Sequence, residues 1–252
     1  INILFLNKII SGASLSKYLI NLHMDYKQRF SDRVENYIKY RPGYPDEIIP
    51  TLQLEIGLTS DDIVADIGSG TGLSAKLLLE HGNTVYGVEP NEPMRNAAEG
   101  LLSEFDTFIS IHGSSETTNL KDNSIDLIVC AQAFHWFDRQ KTKQEFQRIS
   151  NSDAHLCLIW NDRKETEPFQ QDYEKLIQEF ATDYNEISHR NITANIIGEF
   201  YAPNKFSKFV LNYEQHFDLE GLIGRIISSS YMPNLDHPNF PQLKNAIVSL
   251  FN

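Results

Sequence analysis

The chain has 252 residues, 41% apolar and 22% charged, enough for one domain with a full core and an appended lid. A formal net charge of −12 argues against non-specific binding to nucleic acid or an anionic membrane, since both select basic surfaces, and leaves room for a local basic pocket. No apolar run approaches the ~20 residues of a membrane span. The only cysteines, Cys130 and Cys157, lie in apolar strand-like runs and read as reduced core thiols of a cytoplasmic protein, not as a disulfide or a metal site.

Residues 1–23 sit oddly against the rest: they are apolar-rich, carry Lys8 and Lys17, and have no acid before Asp25. Position 1 is not Met and the first Met is Met24, so this stretch reads as an atypical extension, a translated upstream segment in preference to a targeting peptide, with the domain over 24–252. Residues 26–40 have helical spacing, with Phe30, Val34, Tyr37, Ile38 and Tyr40 on one aromatic-rich face, and Arg41-Pro42-Gly43-Tyr44-Pro45 ends them. Residues 46–57 predict a second helix. Strands follow at 63–67, 84–88, 108–111, 126–131 and 155–160, separated by helices at 73–79, 93–105 and 139–150. This alternation specifies an α/β, Rossmann-like, mostly parallel sheet with helices on both faces. Beyond it, 169–180, 219–230 and 241–251 look helical, 206–217 alternates like a sixth strand, and 192–203 is ambiguous.

The first strand ends in Asp66-Ile67-Gly68-Ser69-Gly70-Thr71-Gly72. A buried strand, a glycine turn and a helix start make a nucleotide-like site, with Gly68, Ser69, Gly70 and Gly72 bringing backbone close to the ligand. The third glycine comes one residue earlier than in the dinucleotide fingerprint, and Asp66 would repel a pyrophosphate while accepting from an ammonium group. S-adenosylmethionine fits this pattern; a dinucleotide oxidoreductase does not. Glu89, at the next strand end, has the position of a ribose-diol acceptor. Met94 either packs on an adenine face or fills core. In Gly113-Ser114-Ser115-Glu116, Ser115 and Glu116 are candidates for the adenine amine, and the bland reading is a turn that starts a short helix. The backbone of Ala131 and Gln132 would lie along the cofactor. His135 and Trp136 would border the transferred methyl group as the catalytic candidates, or else belong to an aromatic cluster packing the next helix. Tyr37 and Arg41 are lid candidates, with Arg41 either pairing with the cofactor carboxylate or standing at the surface. Arg163, Arg225, Ser230 and Tyr231 are the acceptor-side candidates, and two arginines would suit a small carboxylic acid.

Residues 29–37 (RFSDRVENY), Tyr40 to Pro45, the Asp66 glycine turn, Gly87-Val88-Glu89-Pro90-Asn91, Ala131 to Asp138, Trp160 to Arg163 and Arg225 to Pro233 together resemble class I S-adenosylmethionine-dependent methyltransferases. The nearest branch is that of trans-aconitate methyltransferase-like proteins. The resemblance runs from about Asp25 to the end and adds Pro90 to the cofactor-side residues. It implies methyl transfer to a small molecule, with no nucleic-acid or membrane partner and the oligomeric state open; the alternative is a cofactor-binding regulatory or partner protein without turnover. It also implies a seven-stranded sheet whose last strand runs antiparallel between the fifth and sixth. No sequence for that strand follows Asn252, so the expectation is a C-terminally truncated domain with two unpaired strand edges.

Overall fold

The computed structural model describes residues 2–6, 34–41, 43–187 and 189–252. Apolar β-branched runs bounded by polar turns become strands, and each glycine or proline boundary read from the sequence ends an element. In chain order these are β1 (Asn2–Leu6), α1 (Val34–Tyr40), α2 (Ile48–Ile56), β2 (Ile63–Ile67), α3 (Leu73–His81), β3 (Thr84–Val88), α4 (Glu92–Leu101), β4 (Phe108–Ile111) and β5 (Ile125–Ala131). Then come α5 (Arg139–Ile149), β6 (Ser150–Trp160), α6 (Pro168–Phe180), α7 (Tyr184–Ile187), α8 (Ala194–Tyr201), β7 (Phe206–Val210), α9 (Leu219–Ile227) and α10 (Phe240–Phe251). Short 3-10 turns lie at Phe134–Trp136 and His189–Asn191.

The sheet has seven strands in the order β4-β3-β2-β5-β6-β1-β7. The five from β4 to β6 are parallel. Successive residues of the central strands enter opposite cores: Leu127 packs with Val64, Leu78 and Val85, whereas Ile128 packs with Ile67, Phe146 and Leu158. That is the period of two expected for a strand buried on both faces. Cys130 and Cys157 are free thiols in these two cores, as expected. A third cluster, built from Tyr173, Ile177, Leu222, Ile226, Leu243 and Ile247, joins α6, α9 and α10.

Three expectations change. The slot expected to leave two bare edges is filled by β1, which runs antiparallel to β6 (Asn2 opposite Trp160, Leu6 opposite Leu156) and to β7 (Asn2 opposite Val210, Leu6 opposite Phe206). The backbone of this run supplies partners to both flanking ladders. The sixth strand ends at Val210, opposite Asn2, and does not continue to residue 217. The ambiguous stretch is α8, with Thr193 as its N-cap. Residues 7–33, where the boundary between extension and domain was expected, lie outside the described residues, as does the first part of the helix expected over 26–40.

Candidate cofactor and acceptor site

β2 delivers the glycine turn to the carboxyl edge of the sheet. Gly68 (φ +71) donates to the Val88 carbonyl at 2.8 Å, and a Cβ there would lie 2.7 Å from that of Ala133. The turn is thus pressed against the loop after β5. Gly70 (φ +56) differs, because a Cβ would meet nothing within 4 Å. Its backbone faces open space, as a ligand cradle requires. Gly72 is the left-handed N-cap of α3 and Ser69 is buried beneath the turn.

Asp66 is fully buried, and its Oδ2 accepts from Ser74 Oγ at 2.6 Å while Oδ1 has no protein partner. Burial, helped by the nearby Glu89 charge, pushes this carboxyl up to about 7, against the opposing bonds from Ser74 and the Ala75 N–H. Glu89 closes the turn from the other side: Oε2 accepts from Gly70 N at 2.9 Å and Oε1 from Asn91 N at 2.8 Å. Burial raises its pKa as well. Each of its oxygens keeps a second lone pair. Pro90 is half-buried beside it, and Met94 is buried in the first turn of α4, its N–H capped by Asn91.

Ser115 and Glu116 are tied to α5. Ser115 Oγ accepts from Thr142 Oγ1 at 3.0 Å, and Glu116 Oε1 accepts from the Asp138 N–H at 3.1 Å. Ala131 is buried at the end of β5. Gln132 has φ +58, donates its N–H to the Ile159 carbonyl, and leaves Nε2 buried without a protein partner. Left-handed backbone in a residue other than glycine marks a strained, site-forming position. Phe134 joins an aromatic cluster with Phe137, Trp160 and Phe200, whereas His135 and Trp136 stay half-buried with their rings 4.8 Å apart. Burial, with the positive surroundings of His189 and Arg41, drops His135 to about 3, so it is a neutral imidazole at physiological pH.

Helix α1 docks on α9: the Tyr40 ring covers Gly224, where a Cβ would lie 2.3 Å from it, and Tyr40 and Lys39 both reach Glu220. Arg41 then donates to the Ser228 carbonyl at 3.2 Å, placing its charge near His135, Arg225 and Tyr231. The Tyr37 side chain lies outside the described residues.

The four acceptor-side candidates divide. Arg163 is internally neutralised by Glu174 (2.8 Å) and Tyr184 (3.0 Å), with its guanidinium 5.2 Å from the Tyr173 ring. Arg225 is buried and, among the described residues, bonds to Ser229 Oγ at 3.3 Å and has no carboxylate partner; burial and the neighbouring Arg41 and Arg163 charges push its pKa down. A buried cation of this kind can take an anion from outside the protein. Burial would raise the Tyr231 phenol, but Arg163, Ser229, Arg225 and Arg41 outweigh it and hold it below its usual value. Ser230 is half-buried beside it. Sequence reasoning missed Ser229, Asn161 and His189; the last two have buried polar atoms without protein partners. The stretch 192–203 was ambiguous in sequence and carried no signal for them.

Residues 65–158 match the family described as "Methyltransferase domain". This segment is similar to that family. An uncharacterized methyltransferase-like protein of Schizosaccharomyces pombe is 28% identical over 155 residues, 61% of this chain and 59% of that protein. An uncharacterized methyltransferase of Mycobacterium bovis is 33% identical over 141 residues, 56% of this chain and 55% of its own length. The chain therefore spans less than two thirds of either relative. The fold is shared with a solved structure from Methanococcus maripaludis described as an S-adenosyl-L-methionine-dependent methyltransferase, with TM-score 0.54 at 21% identity over 75% of this chain and 85% of that one. The glycine turn, Glu89 and His135 fall inside the matched segment; Arg163, His189, Arg225 and Tyr231 fall after it. Among the described residues no helix is long and apolar enough to cross a membrane.

Proposed function

We propose that the chain is an S-adenosylmethionine-dependent methyltransferase acting on a small carboxylic acid. The observation that carries the cofactor reading is the clasp of Glu89 onto Gly70 beside the partnerless Asp66 Oδ1, around a glycine with open space before it. Asp66 favours a cation near the turn, Glu89 offers lone pairs to a diol, and Gln132 Nε2 offers a donor. Bound there, the cofactor supplies an activated methyl group.

Arg225 supports the acceptor reading: a buried guanidinium without a carboxylate partner suits a ligand that brings one. Tyr231 and Arg41 flank it, while Arg163 holds Glu174 and Tyr184 in place. A carboxylate is ionised at neutral pH and needs no base, so the protein's work is holding and aligning it. Neutral His135 is placed to accept a proton if the nucleophile is a hydroxyl. Calorimetric titration with S-adenosylmethionine and with NAD tests the first half, since binding of NAD alone would end the methyltransferase reading. Screening small acids, phenols and amines for S-adenosylhomocysteine formation tests the second; turnover of phenols or amines alone would remove the acid.

A further inference from the structure

Three further polar atoms come from the loops and the insert around this region. Among the described residues, His135 Nδ1, Asn161 Oδ1 and His189 Nε2 are all buried without a hydrogen-bond partner. His135 follows β5 and Asn161 follows β6, strands held side by side with Ala131 opposite Ile159. His189 comes from the insert between β6 and β7, outside the methyltransferase segment. Leaving such an atom buried and unpaired costs about 1–3 kcal/mol, so several together mark a place where a polar ligand completes the bonding.

The two imidazole centroids are 6.2 Å apart with planes at 59°. That is too far for a direct bond between the rings, yet one oxygen between them can lie ~2.9 Å from a nitrogen of each. Asp162 Oδ1 stands 3.6 Å from His189 Nε2 and the same distance from Arg190 Nε, within ion-pair range and beyond hydrogen-bond reach.

We propose that His189 is a specificity-determining residue which, with His135, holds an uncharged oxygen of the acceptor, so that the substrate is a hydroxy- or oxo-acid. This rests on the acid-methylating reading above. The acceptor then has two unlike ends, a carboxylate toward Arg225 and a hydroxyl or carbonyl between the imidazoles. A site built to hydrogen-bond an oxygen discriminates strongly against the analogue lacking it, because its own polar atoms are then stranded.

The test uses the full chain, S-adenosylmethionine and two matched pairs of acids, succinate with malate and hexanoate with 3-hydroxyhexanoate, read as S-adenosylhomocysteine formation. The wild type is expected to favour the hydroxy member of at least one pair by about 100-fold in kcat/KM. His189→Phe keeps the ring shape without its nitrogens and is expected to bring that ratio near one, while His189→Gln retains an intermediate ratio. Should His189→Phe fail to fold, judged by its S-adenosylmethionine titration, His189→Gln decides: a ratio several-fold below wild type supports the assignment and an unchanged ratio overturns it. A wild-type ratio near one, or a preference surviving in His189→Phe, also overturns it while leaving the acid reading intact. Turnover of none of the four acids overturns both.

Discussion

Asp66, which we propose for cofactor binding, costs the fold stability. Its carboxyl is held at about 7 when folded against 3.8 when free. The unfolded chain therefore ionises first, and the folded state loses stability as pH climbs from about 4 to about 7. At pH 8 that penalty is on the order of 4 kcal/mol, reduced by whatever relaxation accompanies ionisation. Asp66→Asn keeps an acceptor for Ser74 and removes the buried charge. The expected outcome at pH 8 is a higher melting temperature together with at least a tenfold loss of affinity for S-adenosylmethionine, checked by calorimetry on the same sample. Unchanged affinity would mean that Asp66 serves the fold alone.

At the scale of elements, two joints hold the site together. The loop before β5 is fastened to α5 by Glu145, whose Oε1 accepts from the Thr118 N–H and hydroxyl while Arg148 bonds both carboxylate oxygens. Burial opposes ionisation here, but the Arg148 and Thr118 bonds outweigh it and pull Glu145 down to about 2 from 4.5. Its stabilisation is fully present above about pH 4.5 and is lost as pH falls toward 2. Glu145→Gln is expected to cost about 1–2 kcal/mol at pH 7, discounted because Arg148 is partly solvated, and to lose most of that difference near pH 2.5; urea titrations at both values check it. The second joint is Tyr40 on Gly224, which seats α1 and hence Arg41. Gly224→Ala has no space for its methyl, so α1 must shift at a cost of about 1–3 kcal/mol. Weaker binding of cofactor and acceptor, with the far-ultraviolet dichroism of the sheet retained, is the expected result.

At the scale of the whole molecule, the sheet depends on a strand from the far end of the sequence. β7 has no ladder with β6, and its pairing runs through β1. A proline in the middle of β1 removes a ladder donor from an interior strand, a place where sheets do not tolerate it. Leu4→Pro is therefore expected to destabilise the protein by about 3 kcal/mol or more and to release amide protection in Phe206–Val210 first. Hydrogen exchange followed by mass spectrometry reads this directly; undiminished protection in β7 would show that β1 does not carry it.

Much of this protein was legible in order along the chain. Apolar β-branched runs ending at Ile67, Val88, Ile111, Ala131 and Trp160 set five parallel strands, and the spacing of Asp66, three glycines and Glu89 pointed to the candidate crevice, because period, turn chemistry and strand ends are local properties. Arg163 and Arg225 looked alike in sequence, yet only the packing of α6 and α7 gives the first a carboxylate and leaves the second without one. The placing of His189 was illegible for the same reason, since the insert brings its ring within 6.2 Å of His135, 54 positions away. The use of Asn2–Leu6 as the antiparallel strand was likewise decided in three dimensions. A short apolar run has no register of its own, and the two ladders on either side supply one.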